Sequence, residues 1–291
     1  MSGEWPLLIF TILGQLAIGT FVILTLIRTL LDTKIGVKPT AEVTKFGMLA
    51  VGPVILLALF ASFLHLGSPL LAYHALGNLK TSWLSREILF TSLFLILWFV
   101  TFYTSKKGQV NQGLSWVTSI VGLITIFCMA GIYAHSNRPA WTSANTYLSF
   151  FGAALVMGTI AAGAAVVYGY RTQKLEGEAL KVVQKVSMIA LLAIAVQLIY
   201  LPIYISGLAN NGVAAQASAQ LLSGAYAFLF ILKWILSILA GVMFFYVLYK
   251  QGEARTSSLN LVFIAFGIAL LAELIGRYVF YATAVSAVFG L

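Results

Sequence analysis

Val51-Gly52-Pro53-Val54-Ile55-Leu56-Leu57-Ala58-Leu59-Phe60-Ala61-Ser62-Phe63-Leu64-His65-Leu66-Gly67-Ser68-Pro69 decides what kind of molecule this is. No charged side chain interrupts the sequence between Lys45 and His65. A helix crosses the hydrocarbon core of a bilayer with about 20 apolar residues, so this run has the length of a membrane span. It ends on an imidazole. Gly67 then permits a sharp bend and Pro69 forbids further helix, so the backbone turns as it reaches water.

The same pattern recurs along the whole sequence. Runs of spanning length lie at about 7–30, 44–66, 86–104, 113–134, 145–169, 186–207, 223–248 and 258–282. Short polar stretches at 32–39, 106–112, 171–178 and 252–258 separate some of them, and none is long enough to fold alone. The 291 residues are 61% hydrophobic and only 9% charged, against roughly 25% charged in soluble domains. Mean hydropathy is +0.99. The fold class that follows is an all-α polytopic membrane protein, one integral domain (1–291) bundling eight transmembrane helices. No internal repeat is evident.

The net charge of +9 would suggest nucleic acid in a soluble protein; here it fits basic loops facing an anionic leaflet, and nucleic acid is not an expected partner. Cys128 is the sole cysteine. It excludes a disulfide framework or a cysteine-held iron–sulfur cluster and reads as a small buried hydrophobe. No Lys or Arg precedes Arg28, so the start lacks the basic region of a signal peptide and the first run is expected to be retained.

Positive charge sets the orientation. Arg28, Lys34, Lys38, Lys45, Lys106, Lys107, Arg171, Lys174, Lys181, Lys185, Lys250 and Arg255 flank the odd-numbered loops, twelve of the 17 basic residues. Only Lys80, Arg86 and Arg138 flank the even ones. The positive-inside rule places the odd loops in the cytoplasm and both termini on the outer (periplasmic) side. His65 and Glu87 then lie near the outer surface, with Trp5, Trp83 and Trp141 as expected interface anchors.

Ionisable groups at membrane depth are costly and are read first as functional candidates. His65, Gly67 and Ser68 close the second run, and Arg86 with Glu87 opens the third. An imidazole can exchange a proton near neutrality and a carboxylate can relay it. The plain alternatives are a C-terminal histidine satisfying helix carbonyls and an acid favoured by the dipole of a first turn. In the last run Glu273 and Arg277 stand four residues apart, on one helix face, where they can pair. That pair either locks the helix into the bundle or joins the His65 and Glu87 groups in one cavity, as outer support or a proton path with Gln15 and Tyr281. Lys233, Gln15 and Gln197 near Pro202 are weaker candidates that could simply bond neighbouring helices, with Lys233 snorkelling to the surface. Two-histidine haem ligation needs imidazoles well inside helices. His65, His74 and His135 all fall at outer loops, so haem is not expected, and no metal, phosphate-loop or hydrolase pattern is present.

Together these motifs resemble the DmsC family, the membrane anchor subunits of dimethyl sulfoxide reductase. The likeness rests on Glu4-Trp5-Pro6-Leu7 to Phe10 with Gly14-Gln15, on His65-Leu66-Gly67-Ser68-Pro69, on Glu87-Ile88, and on Glu273-Leu274-Ile275-Gly276-Arg277 with Phe280-Tyr281. The resemblance implies a heme-free subunit, without an iron–sulfur cluster of its own, in the inner membrane of a prokaryote. It implies menaquinol bound near the outer face, with His65, Gly67 and Glu87 in the family's quinol positions. It also implies two extrinsic partners on the outer side, an iron–sulfur electron-transfer subunit and a molybdopterin catalytic subunit. Outer loops 67–85, 135–144 and 208–222 are the expected docking surface. Two rivals remain: a quinone-reducing anchor working in the opposite direction, and a small-solute transporter, for which Pro53 and Pro202 would break helices.

Overall fold

The computed structural model describes residues 5–65, 77–107, 110–173, 177–250 and 260–287. Nine helices are present among them and no strand: α1 (Trp5–Ile35), α2 (Val37–His65), α3 (Trp83–Lys106), α4 (Gln112–Ala134), α5 (Ala144–Gln173), α6 (Glu178–Asn210), α7 (Gly212–Ser223), α8 (Ala227–Tyr249) and α9 (Asn260–Ala282). All but α7 are long and apolar enough to cross a membrane, which makes eight candidate spans among the described residues. Side chains such as Ile199 (74% exposed) and Phe228 (73%) project from the outside of the bundle. Such a surface would be a liability in water and suits contact with acyl chains.

Within a bilayer, helices gain little from hiding apolar surface from one another, so close backbone approach and dispersion hold them together. The central crossing of α1 and α5 shows this. A Cβ placed on Gly19 would lie 2.0 Å from the Ala154 carbonyl oxygen, and one on Gly158 would lie 2.3 Å from the Gly19 backbone. Only glycine permits that contact. Around it the largest buried side chains, including Phe21, Phe94, Phe150 and Phe244, fill the interior. Several threonine hydroxyls within the spans bond the carbonyl one turn back, as Thr25 does to Phe21 and Thr101 to Leu97, so these hydroxyls are satisfied without water.

Several helix ends depart from the sequence expectation. The 32–39 stretch is not a loop: Gly36, at φ +85°, is the single residue between α1 and α2, and Pro39 sits in the first turn of α2, where its missing N–H costs nothing. α6 starts eight residues before the apolar run, at Glu178, which binds Lys34 at 3.1 Å and Lys181 at 2.6 Å. The expected seventh span 223–248 begins instead at Ala227, and the outer loop 208–222 is largely the extra helix α7. Pro53 and Pro202 lie inside the unbroken α2 and α6. The discontinuous helices expected of a transporter are therefore not formed at those two prolines.

One end of the bundle gathers Trp5, the start of α3, the 135–143 turn, α7 and residues 284–287. Trp5 stacks on Tyr278 with ring centres 6.1 Å apart, Arg138 donates to the Ala284 carbonyl at 2.7 Å, and Ala287 N–H donates to the Asn137 carbonyl at 2.9 Å. The opposite end carries the Lys34–Glu178 pair and a Gln112 to Asp32 bond of 2.6 Å. Trp5 and Ala287, near the two ends of the described residues, thus share one face.

Candidate functional site

Glu87 lies on the second turn of α3, because Ser82 caps the helix and Trp83 begins it; Ser85 N–H donates to the Ser82 hydroxyl at 3.2 Å. The reading of Glu87 as a first-turn acid held by the helix dipole is therefore corrected. The carboxylate is 5% exposed. No hydrogen bond or ion pair reaches it from the described residues; only its backbone carbonyl is engaged, by Thr91 at 2.7 Å. An acid buried without a partner is expensive.

Arg86, next to it, turns the other way. Its Nε donates to the Leu79 carbonyl at 2.9 Å and Nη2 to the Lys80 carbonyl at 2.6 Å, while its guanidinium lies over the Trp83 ring at 4.5 Å. Arg86 fastens the turn that enters α3. His65 is the last residue of α2; its side chain, together with Gly67 and Ser68, falls outside the described residues, as does His74. His135 caps α4, its Nδ1 2.9 Å from the Gly131 carbonyl and its ring against Trp83.

Beyond Glu87 stands an aromatic wall. The Tyr133 and Tyr281 hydroxyls are 2.7 Å apart, and Trp141, Phe150 and Phe280 pack around them. Trp141 corrects an expectation. It is 7% exposed, stacks on Phe280, and donates its Nε1 to the Phe280 carbonyl at 2.9 Å, so it is a core residue and not an interface anchor.

On the far side of the wall lies the second polar group. Glu273 and Arg277 share a face of α9 as the spacing required, yet each takes a different partner. Glu273 faces Lys233 of α8 at 3.6 Å, and Arg277 Nη2 donates to Gln15 Oε1 of α1 at 2.9 Å. The expected Glu273–Arg277 pair is replaced by ties to two other helices. Lys233 does not snorkel; it is 6% exposed and its ammonium lies over the Trp234 ring at 3.5 Å. Gln197 donates to the Ala193 carbonyl within its own helix.

A cavity of about 80 Å³ opens between α5, α6, α7, α8 and α9, lined by Lys233, Glu273 and Arg277 with Asn145, Ser149 and Trp234 among others. Glu87 does not line it. The two constellations therefore do not share one described cavity; the Tyr133–Tyr281 pair packs on Phe150 and Phe280, the rings that also carry the Arg277 guanidinium. Tyr133, which bonds Tyr281, was not singled out by sequence. Tyr133 and Tyr281 are far apart in the sequence, and nothing in either local pattern announces the pairing.

Comparison with known proteins agrees with this architecture. Residues 1–283 match the family model for the DMSO reductase anchor subunit (DmsC). The protein is 27% identical over 283 residues to the C subunit of the anaerobic dimethyl sulfoxide reductase of Escherichia coli (strain K12), covering 96% of this protein and 94% of that one. It is 28% identical over 287 residues to the Haemophilus influenzae protein of the same name, again with 96% and 94% covered. It is also 31% identical over 170 residues to the YnfH subunit of an E. coli anaerobic dimethyl sulfoxide reductase, across 55% of this protein and 57% of that one. With eight candidate spans and a family match along nearly its full length, the chain belongs to the DmsC family of DMSO reductase anchor subunits.

Proposed function

We propose that this protein anchors a molybdoenzyme of the dimethyl sulfoxide reductase type to the inner membrane and oxidises menaquinol for it. The observation that carries the reading is Glu87, a buried carboxyl with no partner among the described residues, one short connection after the end of α2 at His65. Quinol hydroxyls donate hydrogen bonds and lose protons on oxidation. An imidazole and an unengaged carboxylate at the end of two spans are acceptors matched to that need.

In this mechanism His65 accepts a hydrogen bond from one quinol hydroxyl, and Gly67 and Ser68 shape the turn over the ring. Glu87 takes up protons released in oxidation and passes them to the outer side. Arg86 keeps the turn into α3 closed through the Leu79 and Lys80 carbonyls. The Tyr133–Tyr281 hydroxyls and Glu273 are groups that can pass a proton, with Arg277 and Gln15, bonded to each other, as outer support, since a guanidinium keeps its proton. The two electrons leave for a cluster in an iron–sulfur partner, which passes them to the molybdopterin subunit. Both partners dock on the face built from the turn before α3, the 135–143 turn, α7 and residues 284–287. With both half-reactions on the outer side, no net charge crosses the membrane.

The test uses membranes carrying the complete complex. A quinol analogue should bind wild type and lose at least about tenfold in affinity with His65→Arg or Glu87→Gln, as expected when a charge-assisted hydrogen bond is lost. Undiminished binding in both variants, with normal membrane insertion, sinks the site.

A further inference from the structure

The cavity between α5, α6, α7, α8 and α9 contains a cation with a free edge, which no described group accepts from. Two cations line it, Lys233 (6% exposed) and Arg277 (4% exposed), and Glu273 is the one acid on its wall among the described residues. Lys233 and Glu273 face each other at 3.6 Å, so the guanidinium is the surplus. It uses Nη2 on Gln15, and Phe150 covers its face at 3.7 Å. Its Nε and Nη1 are buried with no acceptor among the described residues, and so is Trp234 Nε1. The Phe150 and Phe280 rings beside the guanidinium also pack against Tyr133, and Phe280 against Tyr281.

The chamber therefore holds three buried donors without an acceptor among the described residues, while its one carboxylate oxygen without a hydrogen bond, Glu273 Oε1, faces Lys233. A charge in a low-dielectric site is costly until something pairs it. The edge of a guanidinium presents parallel N–H groups that match two oxygens of one oxyanion. At about 80 Å³ the space falls well short of the roughly 300–1,000 Å³ of pockets that take ring-sized molecules, yet a compact tetrahedral group fits. Arg277 lies five residues before the end of α9, about 8 Å below it at 1.5 Å per residue. Ile203 and Phe228, on the flanking α6 and α8, project outward. The chamber is thus within reach of both a lipid headgroup in the adjoining leaflet and a soluble ion.

We propose that this cavity is a phosphate site, in which the free edge of Arg277 and Trp234 Nε1 bind the oxyanion while Lys233, held by Glu273, completes the positive field. The site is separate from the Glu87 constellation and does not depend on the quinol reading.

The full-length protein, purified in an uncharged, phosphate-free maltoside detergent, provides the test. Phosphatidylglycerol or inorganic phosphate is titrated in, and binding is followed by native mass spectrometry and by thermal unfolding. Retention of one phosphatidylglycerol per protein molecule, weakened about tenfold by Arg277→Gln, supports the site with a lipid headgroup as its source. A thermal shift with inorganic phosphate alone, lost to the same degree, supports it with a soluble ion. Ser149→Leu keeps every charge and narrows the chamber, so it should displace the phosphate in either case and serves if Arg277→Gln does not fold. Binding that survives either substitution lies elsewhere and overturns the proposal. Failure of both probes to bind wild type overturns it too, leaving a chamber filled by water.

Discussion

Glu87 and Glu273 are the same residue at the same burial, each 5% exposed, and the protein treats them in opposite ways. Glu273 faces an ammonium across a helix boundary, and an arginine one turn away is tied to a third helix. Glu87 has no such neighbour among the described residues. A buried carboxylate with a cation built against it is already neutralised, so its effect falls on the bundle. One left without a partner costs stability in every resting molecule, and that cost makes sense where an incoming donor relieves it. Depth alone does not distinguish the two; the neighbour on the next helix does.

The sharpest way to break this comparison is to remove each carboxyl and measure unfolding. Glu273→Ala strands Lys233 and should cost about 3–5 kcal/mol, the penalty for leaving a buried charge alone. Glu87→Ala removes no described partner and should change stability by only about 1 kcal/mol or less. Equal losses from the two would erase the distinction. Replacing both members of the pair tests the same point from the other side. Lys233→Met together with Glu273→Leu should recover to within about 1–2 kcal/mol of wild type, far from the sum of the single losses.

Smaller effects sharpen the boundary between the regions. Tyr133→Phe deletes one hydroxyl of the wall and should cost about 1 kcal/mol. Tyr281→Phe added to it should cost little more, since the two hydroxyls bond each other at 2.7 Å; denaturant unfolding of the three variants checks this. Arg86→Ala should be mildest, roughly 0.5–1 kcal/mol, because the side chain is only half-buried and fastens a turn. Increased proteolysis within 77–82, with the spans intact, would report that loosening.

The spans themselves were legible in the sequence, because crossing hydrocarbon demands a length of apolar residues that few soluble elements share. Their ends were less so. α2 and α6 run past the apolar segment through polar first turns such as Val37-Lys38-Pro39 and Glu178-Ala179-Leu180-Lys181, and hydropathy says nothing about helix that stands in water. α7 escaped for a related reason. Its Ala, Gln and Ser residues form no spanning run, although the alanines of 212–223, strong helix formers, were a signal that could have been used. At the site, the four-residue spacing of Glu273 and Arg277 correctly gave a shared face. It did not give the partners, because Gln15 lies 262 positions from Arg277 and only the tertiary arrangement brings them together. Trp141 shows the converse: its place in the sequence matched an interface anchor, and the packing of Phe280 and Tyr133 drew it inside.

Residues 284–287 are stitched into the shared end of the bundle, Ala284 to Arg138, Val285 to Ser218 and Ala287 to Asn137. Synthesis proceeds from the amino terminus, so the surface that α7 and the 135–143 turn present is finished only after all eight spans have left the ribosome. Under the proposed docking, recruitment of soluble subunits would then act as a quality check on translation. A protein truncated after Ala282 should still enter the membrane with all eight spans, yet leave that face unclosed and its partners unbound.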